Sequence, residues 1–450
     1  GFTEGMIYKF LNASTFDGYN PYRVTKDGFD WEVIEPDNPW SYIGYWGDHQ
    51  VIYLLKLLEF LQHRSAEAFG HLLLQDGFVY AHVPYRIKPY ADLLQNPKDT
   101  IVFDTAAVHE LRRRMSEEGA DGALLRNRQG AICQAGFIEK ILALVLSKLS
   151  NFIPDAGIWM NTQRPEWNDA NNALVGNGAS MVTLYYLRRF LCFFEPLLQQ
   201  QAAATVPVAE ELHVFFSSVA QTLQQHLPLL QQPQLTDAQR RSILDALGTA
   251  GSNYRTTVYE KGFSGNKQSL PLAAVLQLFQ TANRYLEHSI RGNRRPDGLY
   301  HAYNLVAFGN GTVAMDHLSE MLEGQVAVLS TGYLSASESA SLLDALRASA
   351  LYRADQNSYL LYPNKQLPGF LQKNNLPPAA AQASQLLQAL LQAGDRRIVE
   401  QDVRGGLHFN GRFRNANDLN AALDRLEPHW QPLVAVERSL LLQWYEQVFH

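Results

Sequence analysis

The chain has 450 residues, 46% hydrophobic and 18% charged, with a net charge of −6. That is apolar material for a large core, and an acidic balance without clustered Lys and Arg excludes a nucleic-acid-binding surface. No run reaches the ~18 continuous apolar residues of a membrane span, and two cysteines, Cys133 and Cys192, exclude a disulfide framework.

The chain opens on Gly1, as a processed chain or a piece of a larger protein would, and no signal peptide is visible. The two cysteines lie in apolar helical patterns and read as reduced, which leans to the cytoplasm. Residues 1–47 are loop-rich and aromatic, with Tyr19, Tyr22, Trp31, Trp40 and Trp46 among them. They read as an N-terminal arm, either strapped across a groove or packed on the surface. After Asp48-His49-Gln50 the run Val51–Leu61 is helical. Further helical patterns fall near 105–117, 133–150, 178–199, 207–230, 236–248, 270–291, 314–331, 335–348, 378–393, 416–426 and 432–449. Thr236-Asp237, and Ser335 with Glu338, are helix-start signals. Arg112-Arg113-Arg114, followed by Glu117 and Glu118, reads as a solvated helix face.

The pattern at 178–199 is apolar all round, which predicts burial on every side, whereas 207–230 and 236–248 are amphipathic and read as outer helices. About twelve helices alternating in this way predict an all-α fold, an (α/α)6 toroid of concentric helical rings forming one catalytic domain over 1–450. A two-layer solenoid competes, but no internal repeat supports it. The long loops at 13–47, 78–104, 152–177, 249–268, 293–313, 350–377 and 395–415 hold aromatics, Asn and isolated charges rather than low-complexity sequence. Loops of that length inside a compact domain are commonly functional.

One of them concentrates chemistry. Arg164-Pro165-Glu166-Trp167-Asn168-Asp169-Ala170-Asn171-Asn172 places acids, amides, an Arg and a Trp together. Carboxylates move protons, a Trp face stacks on a sugar ring, and amides bond hydroxyls. Asn171 or Asn172 would equally serve as the cap of the helix that follows. Glycoside cleavage needs two carboxyl groups across the bond, one to protonate the leaving oxygen and one to attack or to activate water. Asp169 is the better acid, because Trp167 and Leu174 would desolvate it and raise its pKa; Glu166 is second. The other carboxylate is Glu323, inside an apolar helical segment, or Glu400, in a Gly-rich stretch. A salt bridge to Arg would explain Glu323 equally well, and a surface turn would explain Glu400. Glu320 lies one turn before Glu323. Asp48 beside Trp46 suits a pyranose subsite, or a helix cap.

Other patterns are weaker. Gly176-Asn177-Gly178 and Gly309-Asn310-Gly311 lack a strand–helix phosphate-cradle context and read as helix-start turns. There is no His-Glu-x-x-His and no Cys-x-x-Cys, so no metal is indicated. Arg294-Arg295 with Asp297 reads as a solvated turn ahead of an anion site.

Trp167-Asn168-Asp169, with Asn172 and Val175-Gly176, resembles the acid loop of glycoside phosphorylases of the cellobiose and chitobiose phosphorylase kind. Asp48-His49-Gln50 is similar to that family's Arg-Asp-x-x-Gln stretch, and Glu323-Gly324-Gln325 to its Glu-Asn-Gly-Gly-Gln stretch, in the same order. The resemblance implies an (α/α)6 domain with Asp169 as general acid, and Asp48 and Glu323 on the sugar. It departs at Glu166, Ala170 and Gly47, and the family's phosphate-binding His and Thr-Gly-rich loop have no counterpart after residue 325. The expectation is therefore an inverting glycoside hydrolase acting on an oligosaccharide. Asp169 is its acid and Glu323 or Glu400 its base; Trp46, Asp48, Gln50, Arg164, Glu166, Trp167, Asn168, Asn172 and Gln325 hold the sugar. No cofactor, membrane or nucleic-acid partner is expected. The alternative is a phosphorylase with inorganic phosphate as co-substrate, held by a divergent anion site at Arg295 or Arg404. A non-catalytic sugar-binding domain is the third reading.

Overall fold

The computed structural model describes residues 1–20, 23–24, 29–30, 50–161, 174 and 176–449. Its contacts divide the chain into two compact units, Gly1–Asn364 and Lys365–His450.

The first unit opens with a helix, α1 (Phe2–Ala13), that buries Ile7, Phe10 and Leu11, inside what the sequence suggests is an arm. Next come α2 (Gln50–Arg64) and α3 (Phe137–Leu149). All 13 residues of α3 are buried, Glu139, Lys140 and Lys148 included. The helix expected to be buried on every side is α4 (Met181–Gln200); it buries Leu184, Tyr185, Leu187, Phe190, Leu191 and Phe194, but Tyr186, Arg189 and Phe193 are half-buried and Pro196 is exposed, so one side faces outward. It starts where the Ser180 hydroxyl accepts from the Thr183 N–H at 3.0 Å, a helix cap. Its two arginines leave the core sideways, Arg188 to Glu287 at 2.7 Å and Arg189 to Glu59 at 2.7 Å. Then follow α5 (Glu210–His226), α6 (Asp237–Lys261), α7 (Leu272–Gly292), α8 (Leu322–Ser330) and α9 (Ala336–Ala348). The start signals at Thr236 and Ser335 are both capping boxes. Helix α6 runs on to Lys261 through residues read as loop, because Leu247, Tyr254 and Val258 continue its buried face. The Arg112–Arg114 face is solvated only in part. Arg113 pairs with Glu110 and Glu117 at the surface, while Arg114 is buried against the His82 ring.

The all-α toroid is overturned by a five-stranded sheet. Its strands are β1 (Phe152–Ile153), β2 (Gly157–Trp159), β3 (Gly178–Ser180), β4 (Tyr303–Gly309) and β5 (Thr312–His317). They lie side by side in chain order, every neighbour antiparallel. The sheet is thus a meander interrupted twice, once by residues 160–177 and once by everything from α4 through α7. Helix dominates the fold, but these strands stand where loops or helix were expected. Residues 314–317, read as helical, form β5, and Gly309-Asn310-Gly311 is the turn between β4 and β5. Its last residue, Gly311, has φ +71°, a conformation glycine adopts without steric cost. The N-terminal turns of α6 clamp this edge: Arg240 donates to the Val313 carbonyl at 3.1 Å and Arg241 to that of Gly309 at 2.9 Å.

The second unit holds α10 (Gln385–Gln392), a two-stranded ribbon of β6 (Val399–Gln401) and β7 (Leu407–Phe409), α11 (Ala416–Asp424) and α12 (Gln431–Phe449). Leu386, Leu390, Ile398, Leu419, Leu423, Val434 and Leu441 form its core. The helical pattern at 378–393 breaks at Ser384, which caps α10, and the buried Glu437 carboxylate accepts from the Gln385 N–H at 2.9 Å. A carboxylate there meets the positive end of the helix dipole.

Candidate functional site

Of the sequence-nominated residues, Trp46, Asp48, Arg164, Glu166, Trp167, Asn168, Asp169 and Asn172 lie outside the described residues, as does the side chain of Gln50, the first residue of α2. The stem of the acid-bearing stretch is described. Gly176 N–H donates to the Met160 carbonyl at 2.7 Å, and Met160 N–H to that of Gly178 at 2.9 Å. The Trp159 indole N–H reaches the Gly176 carbonyl at 2.9 Å. Gly176 has φ +85°, and a Cβ there would lie 2.4 Å from the Pro97 carbonyl oxygen, so no other residue fits. The stem therefore leaves β2 and re-enters β3 with its two sides bonded to each other.

Strand β4 lies next to β3, with Tyr303 opposite Ser180 and Asn304 opposite Ala179. Tyr303 is 2% exposed, and its hydroxyl donates to Glu323 Oε2 at 2.9 Å. Glu323 is half-buried in the first turn of α8. Tyr186 on α4 also feels its charge: burial first, then Glu323, pushes the Tyr186 hydroxyl pKa up. The first unit thus brings Glu323 to β4, which pairs with β3, the strand that follows the acid-bearing stretch.

The neighbouring carboxylate, Glu320, is salt-bridged. Arg295 binds Glu320 at 3.1 Å and Asp297 at 2.8 Å, so its charge is met by two carboxylates and Arg295 makes a poor anion site. Gln325 is fully buried and spends its amide on the backbone. It accepts from Tyr300 N–H at 2.8 Å and donates to the carbonyls of Tyr300 at 2.8 Å and Met321 at 2.9 Å. It ties α8 to the start of β4 and leaves a sugar little to bind. Glu400 lies in the second unit, exposed on β6 opposite His408, and Arg404 is exposed in the turn after it, its N–H on Asp402 at 2.8 Å. Glu400 thus stands on an exposed strand, where a surface turn had been the alternative to a site role.

Sequence reasoning missed the polar support behind β4. Asn304, fully buried, donates to the carbonyl of Ala156 and to Asn293 Oδ1, each at 2.8 Å, and accepts from His317 Nδ1 at 2.7 Å. The His317 ring stacks on His301 at 4.0 Å. Burial, and then its neighbour ring, lower the His301 pKa to about 4, so the pair is neutral at pH 7. In the β1–β2 turn, Asp155 has φ +64° and is fully buried. It pairs with His288 Nδ1 at 3.0 Å and accepts from Leu235 N–H at 2.8 Å. The short run Tyr303-Asn304-Leu305-Val306-Ala307-Phe308, ending on Gly309-Asn310-Gly311, is a strand-and-hairpin signal that would have exposed this support.

Another buried carboxylate, Glu139, is fully occupied. It lines a cavity of about 330 Å³ with Tyr80, Cys133 and Lys267. It accepts from Tyr80 at 3.2 Å, Ala209 N–H at 3.2 Å and Lys267 at 2.7 Å, so it reads as structural. Both cysteines are free thiols. Among the described residues no group of three or more His, Cys, Asp or Glu could hold a metal, and no helix is long and apolar enough to cross a membrane.

Residues 367–450 match the family described as GH149 phosphorylase insertion domain 2. The matched stretch coincides with the second unit. The match supports an enzyme acting on glycosides, of a glycoside phosphorylase family, without singling out the cellobiose and chitobiose kind. No curated protein matches the chain.

Proposed function

We propose that the chain is part of a glycoside phosphorylase, which cleaves an oligosaccharide with inorganic phosphate and releases a sugar 1-phosphate. The match of residues 367–450 to a phosphorylase insertion domain carries this reading and favours it over the inverting hydrolase. The acid-loop resemblance in the first unit is consistent with it.

In this reading the Asp169 carboxylic acid protonates the leaving glycosidic oxygen as that C–O bond breaks. A phosphate oxygen forms the new bond to the anomeric carbon from the opposite face, and the phosphate's own proton restores the acid. No protein base is then required, which releases Glu323 from activating water. Its carboxylate, held by Tyr303, accepts hydrogen bonds from sugar hydroxyls instead. Asp48, Trp46 and Trp167 complete the sugar subsite.

The test is a panel of oligosaccharides incubated with and without inorganic phosphate. The expected result is a sugar 1-phosphate formed only when phosphate is present. Reducing sugar released at the same rate without phosphate would establish the hydrolase instead. Glycan binding without turnover in either arm, unchanged in Asp169→Asn, would establish a binding domain.

A further inference from the structure

The geometry points to Tyr303 as a positioning residue that couples the stem of the acid-bearing stretch to the Glu323 carboxylate. The inference rests on Glu323 lining the sugar site, as proposed above. It concerns a residue that neither the acid-loop resemblance nor the matched insertion domain includes.

Tyr303 is held from three directions. Its backbone pairs with Ser180, the last residue of β3, which itself continues from the bonded stem at Gly176 and Gly178. Its ring is buried, and its hydroxyl donates to Glu323 Oε2 at 2.9 Å. The next residue, Asn304, points to the opposite face of the strand, where three partners fix it: the Ala156 carbonyl, Asn293 and His317. A shift of β4 would break all of these at once. The phenol therefore arrives at Glu323 from a strand that cannot slide independently of the stem.

A hydroxyl donating to a carboxylate favours its charged form and selects one orientation of the two oxygens. Tyr303 thus favours one orientation of the Glu323 carboxylate and its ionised form. Tyr186 on α4 also feels this carboxylate.

The experiment uses the whole chain, with ¹³C-labelled glutamate and Glu323→Gln to assign the signal. Tyr303→Phe should raise the ionisation midpoint of Glu323 by roughly one pH unit, a tenfold change in its ionisation constant. The acid limb of kcat/KM for phosphorolysis should move by the same amount. If Tyr303→Phe does not fold, 3-fluorotyrosine at position 303 keeps the shape and strengthens the donor, so the midpoint should fall. An unmoved Glu323 midpoint overturns the inference, as does a moved midpoint with an unmoved acid limb. Wild-type chain inactive on the whole panel, with and without phosphate, overturns the proposed reaction; the carboxylate titration then still decides whether Tyr303 controls Glu323.

Discussion

Glu323 was the expected partner for Asp169 and Glu400 the alternate, and their surroundings separate them. Glu323 stands half-buried at the start of a helix, held by a phenol that water hardly reaches. Glu400 stands exposed on a two-stranded ribbon, facing His408 across the register. Both have a glycine close by in the sequence, Gly324 after Glu323 and Gly405-Gly406 after Glu400. The difference is made by where each carboxylate stands: Glu323 meets the buried Tyr303 of β4 in a five-stranded sheet, whereas Glu400 lies on the exposed face of a two-stranded ribbon. A carboxylate acquires a chemical role when its environment limits its orientation and its ionisation, and burial supplies both limits.

The widest gap should appear at the acid. Asp169→Asn is expected to lower kcat by roughly 10²–10⁴-fold, the contribution of positioned acid catalysis, with folding unchanged by circular dichroism. Next, Glu323→Gln should lower kcat/KM about tenfold or more, since hydrogen bonds to a charged group contribute about 1.5–3 kcal/mol. Glu400→Gln, measured in parallel, should stay within about twofold, as surface substitutions do; a large loss there would reverse the comparison. Asn304→Ala strands the Ala156 carbonyl, Asn293 and His317, at about 1–3 kcal/mol for each partner left unsatisfied, and thermal unfolding should show it.

The smallest effect is in the pH dependence. The Asp155 side chain, then burial acting against it, set the His288 pKa above its ordinary value. A raised folded-state pKa means stability fully present below the unfolded value of about 6.5 and lost as pH rises through the folded value. His301 runs the other way. Its lowered value, about 4, means stability present above pH 6.5 and lost as pH falls toward 4. Unfolding free energy measured against pH should therefore decline on both sides of neutrality. His288→Gln should flatten the alkaline side only.

The helices were largely legible, because the α4 pattern is strongly apolar and α6 and α9 carry capping boxes that local sequence encodes. The sheet was hidden for two reasons. β1, β2 and β3 have only two or three residues each, too short for a period to show. The β4–β5 hairpin did carry its signal in Asn310-Gly311, which was weighed only as a helix start. In the candidate site, Glu323 was visible as a charge in an apolar segment, but its partner Tyr303 looked like one more aromatic in a loop. Gln325 looked like a ligand by its spacing from Glu323, and only its three backbone bonds reveal a clamp.

The tied stem of the acid-bearing stretch has a consequence for how such a protein can diversify. Since Met160, Gly176 and Gly178 fasten to one another, the cost of closing the chain between them is met by the stem, and that cost grows only slowly with length. The residues carried above it can be exchanged, lengthened or shortened as a cassette while the sheet beneath keeps its register. A new substrate preference could then be acquired by swapping that cassette alone, with the rest of the scaffold left as it stands.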